Sequence, residues 1–443
     1  MKVTSSYKVK INKTGFDKKA IRDTATLYRD AVTFFISLIE KEWSYICSSE
    51  DRITNVIEKL SHTTKNNPNP KYDFDSCLYK FPTYLRRAAI SEAYGLVASH
   101  FTRLDLYNKS NRKGIDKPPR LQYKHNTMPK IYVSAGGMFK WTGESTCKIK
   151  VFKNNDWVWI NLSLRPSDVR YIRNKGKTLS PTIQIKRDKY YFVFPVESEV
   201  MLAEKVDKVV GIDLGLNALA TLCVMDEKGT IYKRKFVKNN KEIDLLNHLL
   251  NKKKKLQRKR KSTKSIYREI NNCQDRLEIY TCKEIIKFAL DNNAKAIVFE
   301  HLSPYMKAKG NYKEKIHLWR KKGIANRLSQ MAHIHGLRYS TVCAKNTSKL
   351  AFDGSGEVVR GKDADFKNNT MCKFSNGKEY NCDLSASYNI AARYFIREKI
   401  KPFEDKETQR LKLEAKCPLA FNGTNNIYST LISLNVVLKT LSF

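Results

Sequence analysis

The spacing of apolar residues divides the first part of the chain into a helical region and an extended region. From about Asp17 to Tyr107, apolar residues recur at steps of three and four, as in "AIRDTATLYRDAVTFFISLIEKEWSYI", which predicts amphipathic helices. Between about 130 and 200, segments rich in Val, Ile, Tyr, Phe and Trp predict strands, with turns at Asn154-Asn155 and Arg187-Asp188. Residues 2–11 alternate weakly and predict one more strand. We expect these strands to form a small β-barrel.

Beyond Val200, short apolar runs alternate with longer amphipathic segments. "DKVVGIDLGLNALATLCV" predicts a buried hairpin, and "AKAIVFEHLS" and "LRYSTVCA" predict short buried strands. The segments between them predict helices, because strands that alternate with helices indicate an α/β domain. The stretch 108–129 predicts a loop, and 399–443 shows no clear pattern. One predicted helix carries an apolar stripe at steps of four and three: Ile266, Ile270, Cys273, Leu277 and Tyr280.

The composition indicates a polyanionic partner. The 443 residues include 83 Lys and Arg against 44 Asp and Glu, which gives a formal net charge of +39. A membrane-surface binder should gather its charge on one amphipathic helix or tail, whereas here Lys and Arg run through most of the chain. A ribosome-associated protein is another class of protein that would explain the positive charge. We therefore expect a protein that binds nucleic acid.

The cysteines and the N-terminal segment favour a cytoplasmic protein. The ten cysteines are scattered, and no two have the CxxC spacing. "MKVTSSYKVKINKTG" lacks the apolar core of a signal peptide, and no apolar run approaches the ~20 residues of a membrane helix. We expect a reducing compartment, most thiols as small core residues, and no membrane association.

Three acidic residues lie at positions where a carboxylate suggests a functional role. Asp213 shares one face of a predicted strand with Gly211 and Gly215, which leave that face open to a bulky backbone. Glu300 ends the apolar run "AIVFE", and Asp383 precedes the helical stripe of "LSASYNIAARYF". Each acid has a simpler interpretation by itself: a turn-forming Asp, a strand-end residue in water, and a helix N-cap.

The order of the three acids favours a shared role. An acid on the first strand of an α/β unit, a second at the end of a later strand and a third at a following helix is the layout of RNase H-like nucleases. Mg²⁺ prefers hard oxygen ligands, and two ions ~3.5–4 Å apart activate a water and stabilise the leaving oxygen of a phosphodiester. Asp213, Glu300 and Asp383 are therefore candidate catalytic ligands of two Mg²⁺ ions.

The segments around these acids resemble the three RuvC motifs of the transposon-encoded TnpB nucleases and of the compact, miniature Cas12-like CRISPR type V effectors. The segments are "GIDLGLNALAT", "IVFEHLS" and "CDLSASYNIAAR". In addition, "TSKLAFDGSG" stands where the family has "TS" followed by the first cysteine pair of a zinc finger. The resemblance is specific over about 205–398 and only architectural over 1–204.

The resemblance implies an RNA-guided DNA endonuclease with a single RuvC site. Its partners would be a guide RNA, from a transposon or a CRISPR array, and double-stranded target DNA with a short flanking motif. The protein would work as a monomer or a homodimer on the RNA, in a bacterial cytoplasm and on the nucleoid when bound to DNA. The alternatives are an RNA-guided DNA-binding protein that does not cut, and a RuvC-type nuclease or transposase that acts without RNA.

The predicted fold is accordingly an RNase H-like (RuvC) α/β nuclease domain with an N-terminal wedge-like β-barrel and a helical recognition domain. A degenerate zinc-finger-like module, which would bind target nucleic acid, is nested in the nuclease domain. The predicted boundaries are the first barrel strand at 1–14, the recognition domain at 15–129, the barrel at 130–203, the nuclease domain at 204–398, the nested module at 345–382, and a C-terminal tail at 399–443.

Two basic clusters are candidate phosphate contacts, which position a nucleic acid without reading its sequence. Arg86 and Arg87 lie together on a predicted helix, where a solvated face is the alternative. The run "KKKKLQRKRK" is the densest cluster and lies between the first two motifs, where we expect contact with a guide–target duplex. Its predicted contacts are Lys252, Lys253, Lys254, Lys255, Arg258, Lys259, Arg260 and Lys261.

The cysteines near the third motif do not predict a zinc site. "NTSKLAFDGSGEVV" contains no cysteine, and Cys372 and Cys382 are separated by nine residues. A closed structural zinc site takes four ligands. We expect a metal-free β-hairpin with its turn at Asn376-Gly377, in which the two cysteines pack together as the remnant of a zinc finger.

Overall fold

A computed structural model shows a chain of two compact units. The N-terminal unit comprises residues 2–199, and the C-terminal unit comprises Met1 and residues 200–443. The predicted turn at Arg187-Asp188 and most of the predicted loop at 108–129 lie outside the described residues. No helix in the described part of the chain is long and apolar enough to cross a membrane. The structure describes residues 1–12, 16–109, 117–121, 123, 130–186, 189–215, 218–301, 320–367, 370–400 and 430–441.

The N-terminal unit contains the predicted amphipathic helices. Asp17 caps the first of them, because its carboxylate accepts a hydrogen bond of 3.0 Å from the Ala20 N–H. Apolar residues at helical spacing, among them Tyr28, Phe35 and Ile39, then form the buried face. The helices are α1 (Lys18–Lys41), α2 (Trp43–Ser48), α3 (Ile53–Ser61), α4 (Phe74–Cys77), α5 (Thr83–Asn108) and α6 (Pro166–Arg173).

The strands of this unit form two sheets. They are β1 (Lys2–Lys10), β2 (Ile131–Tyr132), β3 (Phe139–Trp141), β4 (Thr146–Lys153), β5 (Asp156–Ser163), β6 (Lys177–Thr178), β7 (Thr182–Lys186) and β8 (Lys189–Glu199). One sheet has the order β1-β8-β7-β2, with β6 beside β8, and the other has the order β3-β4-β5.

The predicted first strand is confirmed, because β1 pairs with β8 along its whole length. The turn between β4 and β5 is also as predicted: Asn154 and Asn155 both have positive φ, 49° and 62°, as a tight hairpin turn requires. The predicted barrel is not confirmed, since the described strands form two separate sheets joined by an isolated bridge between Ile11 and Leu164.

The C-terminal unit is an α/β structure, as the alternation of elements predicted. Its main sheet has the order β11-β10-β9-β12-β13, in which β9 pairs antiparallel with β10 and parallel with β12. Its strands are β9 (Lys208–Asp213), β10 (Ala220–Asp226), β11 (Ile231–Val237), β12 (Ala296–Glu300), β13 (Arg338–Val342), β14 (Val359–Arg360), β15 (Met371–Lys373) and β16 (Glu379–Asn381). Its helices are α7 (Asn240–Arg258), α8 (Lys264–Asp291), α9 (Lys321–Ile334), α10 (Cys382–Ile400) and α11 (Leu431–Leu441).

The two faces of this sheet are covered differently. Val210 and Ile212 of β9 join the apolar core built with α7, α8 and α9, whereas Val209 joins the core built with α10 and α11. Because side chains alternate along a strand, Gly211 and Asp213 also point to the α10 side. The helix lies so close there that a Cβ on Gly211 would be 2.4 Å from the Ser387 carbonyl oxygen. The open face predicted from Gly211 is thus occupied by helix backbone.

The end of the chain corrects the prediction of a tail over 399–443. Residues 401–429 lie outside the described residues, but α11 is part of the fold. Leu434 and Val437 are fully buried in the core that α10 and β9 share. The sequence of α11 is apolar on nearly every side, so its burial depends on the surface of α10 and not on a visible amphipathic pattern.

The predicted hairpin module is present as a small antiparallel sheet, β14-β15-β16. Its turn runs through Asn376 and Gly377, as predicted, and Gly377 has a φ of 83° that suits glycine. Strand β16 leads directly into α10, and β14 ends at Arg360. The last residue of the first strand, Arg360, and the last strand, β16, therefore both lie near the beginning of α10, the helix that carries Asp383.

Candidate active site

Asp213 and Glu300 lie beside each other at one edge of the main sheet. Asp213 is the last residue of β9 and Glu300 is the last residue of β12. The two strands are parallel, and Ile212 pairs with Phe299 one residue earlier. Adjacent carboxylates are therefore a direct consequence of register, because the carboxyl ends of parallel strands meet at the same sheet edge.

Asp383 joins them from the first turn of α10. The predicted alternative, that Asp383 caps this helix, is wrong: the side chain of Asn381 accepts the hydrogen bond from the Leu384 N–H, at 3.0 Å. The carboxylate of Asp383 is left to face the sheet edge, where Oδ2 lies 3.7 Å from the Cβ position of Gly215. Gly215 lies two residues beyond the end of β9, so Asp383 reaches the segment that follows Asp213.

The three carboxylates influence each other electrostatically. Burial and the nearby charges of Glu300 and Asp383 raise the pKa of Asp213 to about 8. Burial also raises the pKa of Asp383. A cluster of carboxylates at one edge repels itself when it is fully ionised, and a bound cation offsets that repulsion.

Two cations face the same cluster. Arg360, at the end of β14, and Lys321, at the start of α9, both favour the ionised forms of Asp213 and Asp383 against the larger effect of burial. The Arg360 Nη2 is buried and has no hydrogen-bond partner among the described residues. Sequence reasoning missed Arg360, because a charged residue in a short strand before a hairpin carries no periodic signal.

A layer of buried polar side chains, which the sequence did not reveal, supports the carboxylate of Glu300. The Thr347 hydroxyl donates a hydrogen bond to one Glu300 carboxylate oxygen. The Asn389 amide donates to the carbonyls of Thr347 and Leu350, at 3.1 and 2.9 Å. The Arg393 guanidinium donates to the carbonyls of residues 343 and 345, at 2.6 and 2.9 Å.

The signal for this layer lay in α10. Asn389 and Arg393 are four residues apart on one side of the helix, inside the segment "LSASYNIAARYF" whose apolar stripe predicted a helix. Both are almost completely buried. Thr347 is the Thr of the "TS" pair in the segment "TSKLAFDGSG", which resembles the family's sequence. Its hydrogen bond to Glu300 orients that carboxylate.

The donor set fits Mg²⁺ in its chemistry. Asp213, which is buried, and Glu300 and Asp383, which are partly exposed, offer the hard carboxylate oxygens that Mg²⁺ prefers. In the described ranges no group of three or more His, Cys, Asp or Glu side chains is already arranged around one metal position.

Cys372 and Cys382 pack together in a small apolar cluster with Ala351 and Phe374. The thiols hydrogen-bond to each other, which lowers the pKa of Cys372 and raises the pKa of Cys382. Cys372 also donates to the Tyr380 carbonyl, at 3.3 Å. The two sulfurs thus serve as core groups of the hairpin module.

We predict that the purified protein contains far less than one equivalent of zinc. Metal analysis by mass spectrometry checks this directly. A zinc chelator should leave the melting temperature of the protein as purified unchanged, because no structural zinc contributes folding free energy. One equivalent of tightly bound zinc would contradict the prediction.

The predicted basic contacts divide into buried and exposed residues. Arg86 needs correction: its side chain is 4% exposed and pairs with Glu58, with Nη2 at 3.2 Å from Oε1. Arg87 also pairs with Glu58 but remains 53% exposed, so it stays a candidate. In the second cluster Lys253 is buried, with its ammonium 5.4 Å from the centre of the Tyr267 ring. The exposed members are Lys252, Lys254, Lys255, Arg258, Lys259, Arg260 and Lys261.

Two family matches cover separate parts of the chain. Residues 193–303 match the OrfB_IS605 family, described as a probable transposase, and residues 5–153 match the Aq_aa04 family. The first match includes Asp213 and Glu300 and confirms the resemblance to TnpB-like proteins. No curated protein matches the chain.

Solved structures similar to the chain include complexes of CRISPR effectors. CasPhi-2 (Cas12j) bound to crRNA shares 10% identity at a TM-score of 0.49, over 88% of this chain and 98% of that one. The Cas12f1-sgRNA-target DNA complex shares 14% at 0.35, over 88% and 99%. C2c1 of Alicyclobacillus acidoterrestris with single-guide RNA shares 12% at 0.43, over 84% and 69%.

Proposed function

We propose that this protein is an RNA-guided DNA endonuclease that hydrolyses phosphodiester bonds of target DNA at one RuvC-type site. The observation that carries the proposal is the meeting of Asp213, Glu300 and Asp383 at one sheet edge, on elements in the predicted order. The family match over 193–303 and the net charge of +39 support a nucleic-acid enzyme. A guide RNA and double-stranded DNA are the proposed partners, following the resemblance of the three motifs.

Asp213, Glu300 and Asp383 are the proposed ligands of two Mg²⁺ ions. When bound, such ions supply an activated water and stabilise the leaving oxygen of the phosphodiester. Because the pKa of Asp213 is raised in the metal-free protein, Asp213 would have to lose a proton in order to serve as a metal ligand. The hydrogen bond from Thr347 fixes one oxygen of Glu300 and leaves the other available to the site.

Arg360 is a proposed contact to the scissile phosphate. Its guanidinium approaches the acids closely enough to affect two of them, yet Nη2 has no partner in the described part of the chain. A guanidinium is always charged and donates in a planar fork that matches a phosphate. It would stabilise the charge that builds up on the phosphate oxygens as the bond breaks.

We predict that Arg360→Ala lowers the rate of DNA cleavage by about 10²–10³-fold, the usual effect of removing one transition-state donor. Affinity for RNA and DNA should change little, because the exposed basic residues hold the nucleic acid. Lys362→Ala, which removes an exposed charge two residues away, is the matched control and should cleave normally. Equal cleavage rates for the two variants would remove Arg360 from the proposed site.

Exposed residues of the basic cluster are proposed phosphate contacts, together with Arg87. They include Lys252, Lys255 and Arg258, near the end of α7. Such contacts give salt-dependent affinity and no sequence readout. Sequence recognition would come from base pairing with the guide.

The decisive experiment begins with the protein purified from cells that carry its own flanking DNA. The RNA that co-purifies is sequenced, and a DNA target that matches its variable part is then tested for Mg²⁺-dependent cleavage. Bound RNA with cleavage supports the proposal. Bound RNA without cleavage under any metal condition would indicate a guided DNA-binding protein, and the absence of bound RNA would overturn RNA guidance altogether.

A further inference from the structure

The outer face of the sheet β3-β4-β5 combines an exposed aromatic ring with unpaired positive charge. Trp159 of β5 is 38% exposed, and the ammonium groups of Lys140 and Lys148 lie 5.4 and 5.5 Å from the centre of its ring. Lys150 is the cross-strand neighbour of Trp159, and Asn161 is the neighbour of Lys148. We call these five residues the Trp159 face.

The other face of the same sheet explains its stability. Cys147 and Ile149 alternate with Lys148 and Lys150 along β4 and are buried, with Leu162 of β5, in the core of the N-terminal unit. On the Trp159 side, Trp157 is also buried, against Phe81 and Phe152 beside the β4–β5 turn, whereas Trp159 itself remains exposed. An exposed Trp surrounded by solvated polar side chains is typical of a binding surface and not of a protein core.

The charge on the Trp159 face is costly for the free protein. Lys140 and Lys148 stand directly opposite each other on neighbouring strands, and like charges in that position destabilise a sheet. No carboxylate pairs with Lys140, Lys148 or Lys150 among the described residues, and the strand positions of this face carry no Asp or Glu. The ammonium groups of Lys140 and Lys148 lie over the Trp159 ring, where the cation–π attraction offsets part of their repulsion.

We propose that the Trp159 face binds an unpaired segment of RNA, with a base stacked on Trp159 and the adjoining phosphates on the three lysines. Stacking on a ring requires a base whose face is free, so a single strand fits and a duplex does not. The lysine stems are flexible, and a base that reaches the ring moves their ammonium groups outward to the phosphates. The Asn161 amide lies beside this position and can both donate to and accept from a base edge.

This inference rests on the proposed function only for the source of the RNA, which would be the guide. The binding surface lies in the N-terminal unit and uses none of the proposed active-site residues. Binding of RNA at Trp159 and cleavage at Asp213 can therefore be tested separately.

The test measures binding of a labelled, unstructured 20-nucleotide RNA to the full-length protein by fluorescence anisotropy at several salt concentrations. Trp159→Ala should weaken binding by about 5- to 100-fold, the usual effect of losing one stacked base. Trp159→Phe, which keeps an aromatic face, should recover most of the affinity. Changing Lys140, Lys148 and Lys150 to Gln should weaken binding and lower its salt dependence, by about 0.7 in the log–log slope for each phosphate that a lysine no longer neutralises.

Tyr232→Ala is the matched control. Tyr232 is also exposed and has a lysine ammonium 4.5 Å from its ring centre, but its hydroxyl donates to Asp226, so its surroundings are neutralised. This variant should bind RNA normally. Melting curves establish that each variant is folded.

Three outcomes decide the question. Unchanged RNA affinity in folded Trp159→Ala would overturn the proposal, whatever the protein does to DNA. Equal competition by a single-stranded DNA of the same sequence would overturn the assignment to RNA. Loss of RNA affinity in Trp159→Ala but not in Tyr232→Ala would support the proposal, even in a protein that failed to cleave.

Discussion

Replacement of Asp213 by Asn is expected to abolish DNA cleavage and, at the same time, to stabilise the metal-free protein. The cleavage rate should fall by at least about 10³-fold, because an amide cannot supply the negative charge that holds the Mg²⁺ ions. RNA and DNA affinity should be retained, since the exposed basic residues are unchanged. Single-turnover cleavage and binding measurements on the same preparations check both statements.

The gain in stability follows from the pKa of Asp213. Burial and its two acidic neighbours raise that pKa to about 8, whereas an Asp in the unfolded chain titrates near its ordinary value of ~3.9. The folded protein thus binds a proton that the unfolded chain has lost, so the stability of the natural protein falls as pH rises from about 4 through about 8. The neutral amide of the Asp213→Asn variant does not titrate and carries no such penalty.

The melting temperature of Asp213→Asn should therefore exceed that of the natural protein by an amount that is small at pH 5 and grows towards pH 8. An advantage of about 1 kcal/mol corresponds to roughly 2–4 °C for a unit of this size. Addition of Mg²⁺ should reverse the order at pH 8, because the ion stabilises only the protein that binds it. Full cleavage by Asp213→Asn would overturn the site, and a melting difference independent of pH would overturn the electrostatic explanation.

The sequence was sufficient for the placement of the acids but not for the groups around them. Asp213 and Glu300 each end a short apolar strand, and parallel strands bring their ends together regardless of the residues in between. Arg360 reaches the same edge only because β14 lies beside β15, which in turn pairs with the strand before α10. Neither strand pairing produces a hydrophobic periodicity that could be recognised in the sequence.

Burial of polar residues was equally invisible in the sequence. Asn389 and Arg393 look like the solvated side of a helix, but they support the segment that holds Thr347 against Glu300. Arg86 and Lys253 were expected at the surface because they belong to basic clusters, and both are buried in the structure. The enrichment in Val, Ile, Tyr, Phe and Trp between about 130 and 200 predicted strands, whereas closure of strands into a barrel depends on contacts between sheets that composition does not encode.

Gly211→Ala is expected to destabilise the C-terminal unit by about 3 kcal/mol, at the upper end of the range for overpacking. That change corresponds to roughly 6–12 °C in melting temperature. The added Cβ would lie 2.4 Å from the Ser387 carbonyl oxygen, 2.8 Å from the Ala391 Cβ and 3.0 Å from the Cys223 sulfur. The first contact is with helix backbone, which cannot rotate away, so α10 itself must move.

Movement of α10 would also displace Asp383, which the helix carries in its first turn. Cleavage by any folded Gly211→Ala protein should therefore fall, even though no proposed ligand has changed. Gly95→Ala is the matched control: this exposed glycine of α5 has nothing within 4 Å of its Cβ position, so the change should be neutral or stabilising by about 0.5–1 kcal/mol. Thermal melting of both variants, with circular dichroism at 222 nm as the signal, gives the comparison.

A second substitution separates the backbone contact from the side-chain contacts. Ala391→Gly removes the methyl group that lies 2.8 Å away but leaves the Ser387 carbonyl in place. If the carbonyl is the obstacle, the double variant should melt no higher than Gly211→Ala alone. Recovery to the natural melting temperature would show instead that the methyl contact sets the limit, and an unchanged melting temperature in Gly211→Ala would show that α10 does not lie against β9 as closely as described.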